Sequence, residues 1–237
     1  MLNFRFLICC IVFIFLVPAA NAANTLSGKA AVIDGNTLEI EGRQVRLLGI
    51  DAPEAAQELQ LTTGGTDFLG RGAAMMLRSL ITANTVRCEL SDQKDGRGLP
   101  LATCFNNSVD VAAEMIASGM ARASASYPSP YAGVEAKAKV EKKGFWRDQS
   151  EAPWSFRVRR LEAFKKTAAR DCVFKAISDR GRKTLITPWS PWYNDVQVNL
   201  ARGDRWFCSE AQAVSQGWLE PAWLIESVVS GVYNPTN

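Results

Sequence analysis

The chain has 237 residues, 47% hydrophobic and 22% charged, a balance that excludes an intrinsically disordered protein. Its formal net charge is only +3, so any recognition of phosphate must come from a local group of Arg and Lys rather than from bulk charge. It contains no His, which rules out imidazole acid–base chemistry, His-activated nucleophiles and His-ligated transition metals.

Residues 1–22 read as a cleavable export signal. Arg5 forms a weak positive start, Phe6 to Val17 is an apolar run too short to span a bilayer comfortably, and Ala20-Asn21-Ala22 is a small-residue cleavage box. The expectation is a mature chain from near Ala23, periplasmic or secreted, with no stable membrane insertion. That chain keeps Cys88, Cys104, Cys172 and Cys208. An even count in an oxidising compartment favours two disulfides, and no C-x-x-C spacing among them supports a zinc or redox site.

Along the chain, "GKAAVIDG", "NTLEIEG" and "RQVRLLGI" are short, β-branched and punctuated by turn formers, so residues 27 to 54 read as three strands. "TTGGTDFLGRGAAMMLRSLITAN" switches to helical spacing, with Thr66 as a cap and Phe68, Ala73, Met76, Leu77 and Leu80 on one face. "TVRCEL" and "PLATCF" read as a further strand pair around the loop "SDQKDGRGL", which makes Cys88 and Cys104 neighbours. Helices are predicted at "VDVAAEMIAS", stopped by Gly119, and from about Tyr131 to Lys143, stopped by Gly144. Three strands, helix, two strands and two helices fit an α+β fold built on an OB-type five-stranded β-barrel, although periodicity alone leaves other α+β packings open.

The predicted organisation is a barrel domain over 23–147, a basic linker helix over 148–170 and a small C-terminal domain over 171–237. The linker, "SEAPWSFRVRRLEAFKKTAAR", reads as a solvated basic face, with nucleic-acid contact as the alternative. The last segment is rich in Trp, Gly and Pro and is bracketed by Cys172 and Cys208. A disulfide staple there is physically sensible for so small a core.

The chemistry concentrates in "VIDGNTLEIEGRQVRLLGIDAPE", where Asp34, Asp51, Glu54 and Arg46 crowd the ends of two apolar runs. Hard oxygen donors of this kind suit calcium, and Arg presents a planar set of donors to phosphate oxygens. Each residue also has a structural reading. Arg46 could pair with Glu54, Asp34-Gly35-Asn36 could be only a turn, and Asp95-Gly96-Arg97-Gly98 could be a hairpin turn with a solvated Arg.

In order and spacing, "VIDGNTLEI", "VRLLGIDAPE", Gln57, "DGRGL", "VDVAAEMIASGMA" and "EAKAKVEKKGFW" together resemble the staphylococcal nuclease (thermonuclease) family over about residues 27 to 147. The resemblance implies an OB-fold endonuclease that uses Ca2+ to hydrolyse phosphodiester bonds in DNA and RNA. By position, Arg46 and Arg97 correspond to the phosphate-holding arginines and Glu54 to the carboxylate that acts on the attacking water. Asp51 corresponds to a direct metal ligand, Asp34 to an acidic residue just outside the first shell, and Ala52 to a backbone-carbonyl ligand. Asn36 stands where the family usually has a second ligating Asp, which implies weaker calcium binding. Tyr127 and Tyr131 fall where the family places aromatic rings beside the nucleotide, with packing against the barrel as the alternative. Lys94 falls at a phosphate contact, with a solvated loop lysine as the alternative. Stacking on such rings suits single-stranded nucleic acid. The tail resembles a segment that follows this module in other bacterial proteins but lacks the His usual near "LITPWS", which leaves a Cys172–Cys208 disulfide as its expected staple. The alternative to an exported nuclease is a catalytically weak or inactive binder of nucleic acid or another polyanion.

Overall fold

The computed structural model describes residues 24–62, 64–81, 85–147, 150–168, 171–179 and 181–221. The expected export signal, residues 1–22, lies outside these residues. The first strand is bent in two at Lys29, giving β1 (Thr25–Gly28) and β2 (Ala30–Val32). Then follow β3 (Thr37–Ile40), β4 (Arg43–Leu47), the two-residue β5 (Ile50–Asp51) and the small hairpin β6 (Glu58–Gln60) and β7 (Thr66–Phe68). Helix α1 (Leu69–Ile81) leads to the long pair β8 (Val86–Lys94) and β9 (Pro100–Asn106). The module closes with β10 (Val109–Asp110), α2 (Val111–Ala117), β11 (Arg122–Ala123) and α3 (Ala132–Val140).

Sheet order explains why this is a barrel. The hydrogen-bonded sequence runs β1-β8-β9-β4-β3-β2, and its two ends, β1 and β2, are halves of one bent strand. That strand pairs with β8 before the bend and with β3 after it, so five strands close on themselves without a free edge. Within this sheet, among the described residues, the one parallel pairing is β4 with β9, placing Arg46 opposite Leu101. Inside, Leu38, Ile40, Val45, Leu47, Val86 and Ala102 are essentially inaccessible to solvent, and Met115 and Ile116 of α2 cap one end. Each such Leu, Ile, Val or Met side chain contributes about 1.5–3 kcal/mol on burial. Cys88 and Cys104 lie directly opposite in the β8–β9 register and are bonded, as are Cys172 and Cys208.

Two predicted boundaries shift. Thr66 is not a helix cap and Phe68 is not on the inner helix face. Both lie in β7, because Gly64 and Gly65 take φ of 87° and 95° and turn the chain back on β6. The helix therefore starts at Leu69, with Ala73 and Leu77 buried and Met76 and Leu80 partly buried against the core as the spacing predicts, and with Ile81 buried as well. The helix expected to start at about Tyr131 runs over Ala132–Val140, with Tyr131 at its N-cap position.

Beyond the barrel, α4 (Pro153–Ala168) is followed by a three-stranded sheet of β12 (Phe174–Asp179), β13 (Arg182–Ile186) and β14 (Arg205–Phe207), and then α5 (Glu210–Ser215). Phe174, Leu185, Trp189, Phe207 and Trp218 form a separate core, which Phe156 of α4 joins. The basic helix is thus a packed element rather than a solvated connector. Among the described residues, no helix is long and apolar enough to cross a membrane.

Candidate active site and its covering segment

Arg46 sits on β4 between β3 and β9, so its backbone is fixed from both sides. Asp51 sits on β5, held by pairing with Arg122 of β11. Glu54 follows Pro53 in a tight loop. Its carbonyl accepts from the Gln57 N–H (2.8 Å), and its own N–H donates to Gln57 Oε1 (3.3 Å). Buried Gln57 is tied in turn to the Glu151 carbonyl (2.7 Å). Gly70 at the start of α1 lies against this loop so closely that a Cβ there would fall 2.0 Å from the Glu54 carbonyl oxygen. Only glycine permits that contact.

The turn before β3 has an architecture of its own. Asp34 accepts from the Asn36 N–H (2.8 Å) through Oδ1 and from the Thr37 hydroxyl (2.9 Å) through Oδ2. With its amide turned to satisfy both ends, Asn36 donates to Asp34 (3.1 Å) and accepts from Arg46 (3.0 Å). Asn36 therefore orients Arg46 in this conformation. A Cβ on Gly35 would lie 2.6 Å from the Cβ of Ala52, which packs this turn against the Asp51 loop.

Arg97 projects from the β8–β9 turn, where Asp95 Oδ1 accepts from both the Arg97 and Leu99 N–H groups (2.9 Å each). Asp95 Oδ2 accepts from Arg97 Nε (2.8 Å), and Arg46 Nε lies 3.9 Å from the same oxygen. Arg97 is therefore not a solvated turn residue. Burial opposes ionisation of Asp95, but Arg97 and Arg46 outweigh it and hold the carboxyl below its ordinary range.

The two arginines, Asp51 and Glu54 line one cavity of about 350 Å³, with Ser124, Tyr127 and Trp189 on its walls. Tyr127 is half-buried at this opening. Tyr131, expected beside a nucleotide, is buried in the barrel core instead, its hydroxyl donating to Asp110 (2.8 Å), the capping residue of α2. Lys94 is solvent-exposed near the end of β8 and does not line the cavity. Ala52 is buried beside Asp51.

Three further residues belong to the site, all from beyond the barrel. Arg157 of α4 donates to both oxygens of Asp51 (3.0 and 2.6 Å) and to Glu54 (2.5 Å). Arg46 also donates to Asp51 Oδ1 (2.8 Å), so that carboxylate is saturated with guanidinium donors. On the other side, Arg97 donates to Glu210 (3.1 Å) and lies 4.0 Å from Glu220. No motif or periodicity marks these three residues; the Phe-Arg-Val-Arg-Arg stretch over 156–160 is the one signal, and it reads as a generic basic face.

The electrostatics record this crowding. Burial pushes the Glu54 carboxyl up to about 7, against the pull of Arg157. Burial, reinforced by Glu210, pushes Glu220 up to about 8. The folded chain therefore holds a proton on Glu220 that an unfolded chain would release near pH 4.5. A raised folded value gives a contribution complete below 4.5 and lost as pH rises to about 8. The melting temperature is expected to fall across that window, and Glu220→Gln should flatten the upper part of the decline. Parallel melting curves from pH 5 to pH 9 for both proteins check this, and equal slopes would remove Glu220 as the cause.

Asp34, Asp51, the Asn36 amide oxygen and the Ala52 carbonyl are hard oxygen donors of the class calcium takes. As folded, however, the Arg157 guanidinium takes both Asp51 oxygens and reaches Glu54. The ion does not fit this conformation.

A family model described as staphylococcal nuclease homologue matches residues 44–148. The Rhizobium meliloti (strain 1021) protein named succinoglycan biosynthesis protein ExoI is 36% identical over 146 residues, covering 60% of this chain and 75% of that protein.

Proposed function

The chain belongs to the staphylococcal nuclease homologue family, and from this we propose that it is an exported endonuclease hydrolysing phosphodiester bonds in DNA or RNA. The observation that carries the reading is the convergence of Arg46, Arg97 and Glu54 on one cavity. Two guanidinium groups around a phosphate would bind its oxygens and meet the charge that builds on them as water attacks. Glu54, with its carboxyl near neutrality, is suited to take the proton of that water. Tyr127 at the opening offers a stacking face for a base, which favours single-stranded substrate. Calcium is the ion the family usually uses, and Asp34, Asn36, Asp51 and Ala52 are the proposed residues around it once Arg157 has moved aside. The two disulfides support a periplasmic or secreted location. A unit over 23–147, a connecting segment over 148–170 that carries α4 and a C-terminal unit over 171–237 form part of the same proposal.

A second reading, binding of a polyanion without cleavage, is favoured by the Arg157 contact and by the relative whose name assigns it to succinoglycan biosynthesis. A fluorescent single-stranded oligonucleotide separates the two. Binding in chelator followed by cleavage on calcium addition supports the nuclease. Binding with no cleavage at any calcium concentration supports the second reading.

A further inference from the structure

We propose that the segment beyond the barrel is a built-in occupant of the active site, with Arg157 in the place of the metal ion and Glu210, flanked by Glu220, in the place of the substrate phosphate. The inference rests on the nuclease reading above and adds its regulation.

Three observations carry it. First, the contacts are complementary in kind on both sides. The cation Arg157 lies on Asp51 and Glu54, where a cation is needed, and the Glu210 carboxylate, with Glu220 beside it, lies on Arg97, where an anion is needed. Second, all three residues lie outside the 44–148 segment matched by the family model, so the occupant is separate from the module that would do the chemistry. Third, the covering segment is seated next to the site by hydrogen bonds that its backbone carbonyls accept from the barrel. The Ala56 N–H donates to the Trp189 carbonyl (3.1 Å), Gln57 to the Glu151 carbonyl (2.7 Å) and Gln44 to the Glu220 carbonyl (2.6 Å).

The closed arrangement is also built to yield. Six carboxyl groups (Asp34, Asp51, Glu54, Asp95, Glu210 and Glu220) lie in the network around three guanidinium groups (Arg46, Arg97 and Arg157). A divalent cation brings twice the charge of Arg157 to the same oxygens, and a phosphodiester competes with Glu210 for Arg97. Each ligand displaces one half of the same segment, so each should help the other to bind.

The test is calorimetric titration of calcium chloride into the full mature chain, as wild type, Arg157→Gln and Glu210→Gln, with and without a cleavage-resistant phosphorothioate oligonucleotide. Arg157→Gln is expected to bind calcium at least tenfold more tightly, and Glu210→Gln to bind the oligonucleotide several-fold more tightly. Wild type should show positive coupling between the two ligands, and the variants less of it. A folded Arg157→Gln chain with unchanged or weaker calcium affinity overturns the proposal. If that variant fails to fold, Arg157→Lys keeps the charge but loses the two-oxygen grip, and no gain in its calcium affinity is equally fatal. Tighter calcium binding with no cleavage by any variant would retire the nuclease reading and leave the occupant standing. Cleavage by wild type, with every affinity unchanged in the variants, would do the reverse.

Discussion

An Arg46→Ala chain is expected to fold nearly as well as wild type and to lose about a hundred- to a thousand-fold in kcat/KM, the usual loss when one donor aimed at developing charge is removed. The separation of folding from activity follows from the redundancy of the network. Asp51 keeps both bonds from Arg157, and Asp95 keeps Arg97, so removing Arg46 strands no carboxylate. Arg97→Ala would be less clean, since it leaves Glu210 without its guanidinium partner and disturbs the covering segment. Arg46→Lys should recover part of the loss only, because one ammonium cannot reproduce the fork. Steady-state kinetics beside a thermal melt decides the matter. Cleavage within threefold of wild type in a normally melting Arg46→Ala chain removes Arg46 from the machinery.

Gly70→Ala is expected to lower the melting temperature by roughly 6–12 °C, the equivalent of about 3 kcal/mol of overpacking strain in a domain of this size. The added methyl would fall 2.0 Å from the Glu54 carbonyl oxygen and 2.7 Å from the Ala55 Cα, and neither is the end of a flexible side chain. Relief requires the loop carrying Glu54 to move, so activity should fall further than stability alone explains. Gly72→Ala on the same helix is the control. Its methyl would meet nothing closer than the Met120 sulfur at 3.8 Å, and helix propensity favours alanine there. It should be neutral or slightly stabilising. Equal melting temperatures for the two variants would show that the close approach at Gly70 does not fix the Glu54 loop.

The barrel was legible because its strands alternate and its turns carry the residues that turns require. The site on the barrel was legible because Arg46, Asp51 and Glu54 lie within nine residues of one another, at strand ends that packing alone does not explain. Where the reading slipped, two local signals competed. Gly64 and Gly65 close a hairpin on β6, but beside a helical run such a stretch reads as a helix lead-in, which places Thr66 and Phe68 in the wrong element. Tyr131 stands at a loop–helix junction, and only the three-dimensional position of Asp110 shows that its hydroxyl is needed inside. Arg157, Glu210 and Glu220 were not legible at all. Their partners are more than a hundred residues away in the chain, and a basic amphipathic helix gives no indication that one of its arginines enters a carboxylate pair. Contacts of that range arise from tertiary packing, which short-range pattern does not encode.

The central claim is that this is a phosphodiesterase site covered by its own chain. It is tested most directly by cleavage of denatured DNA across a calcium titration, using mature wild type with Arg157→Gln and Arg46→Ala prepared in parallel. The account predicts chelator-sensitive cleavage by wild type only at high calcium, about 10⁻⁴ to 10⁻³ M as for extracellular calcium modules, given that Asn36 supplies no charge. Arg157→Gln should reach half-maximal cleavage at about a tenth of that concentration, and Arg46→Ala should be nearly inactive throughout. Wild type and Arg157→Gln both inactive at every calcium concentration, or cleaving equally in chelator, would contradict it.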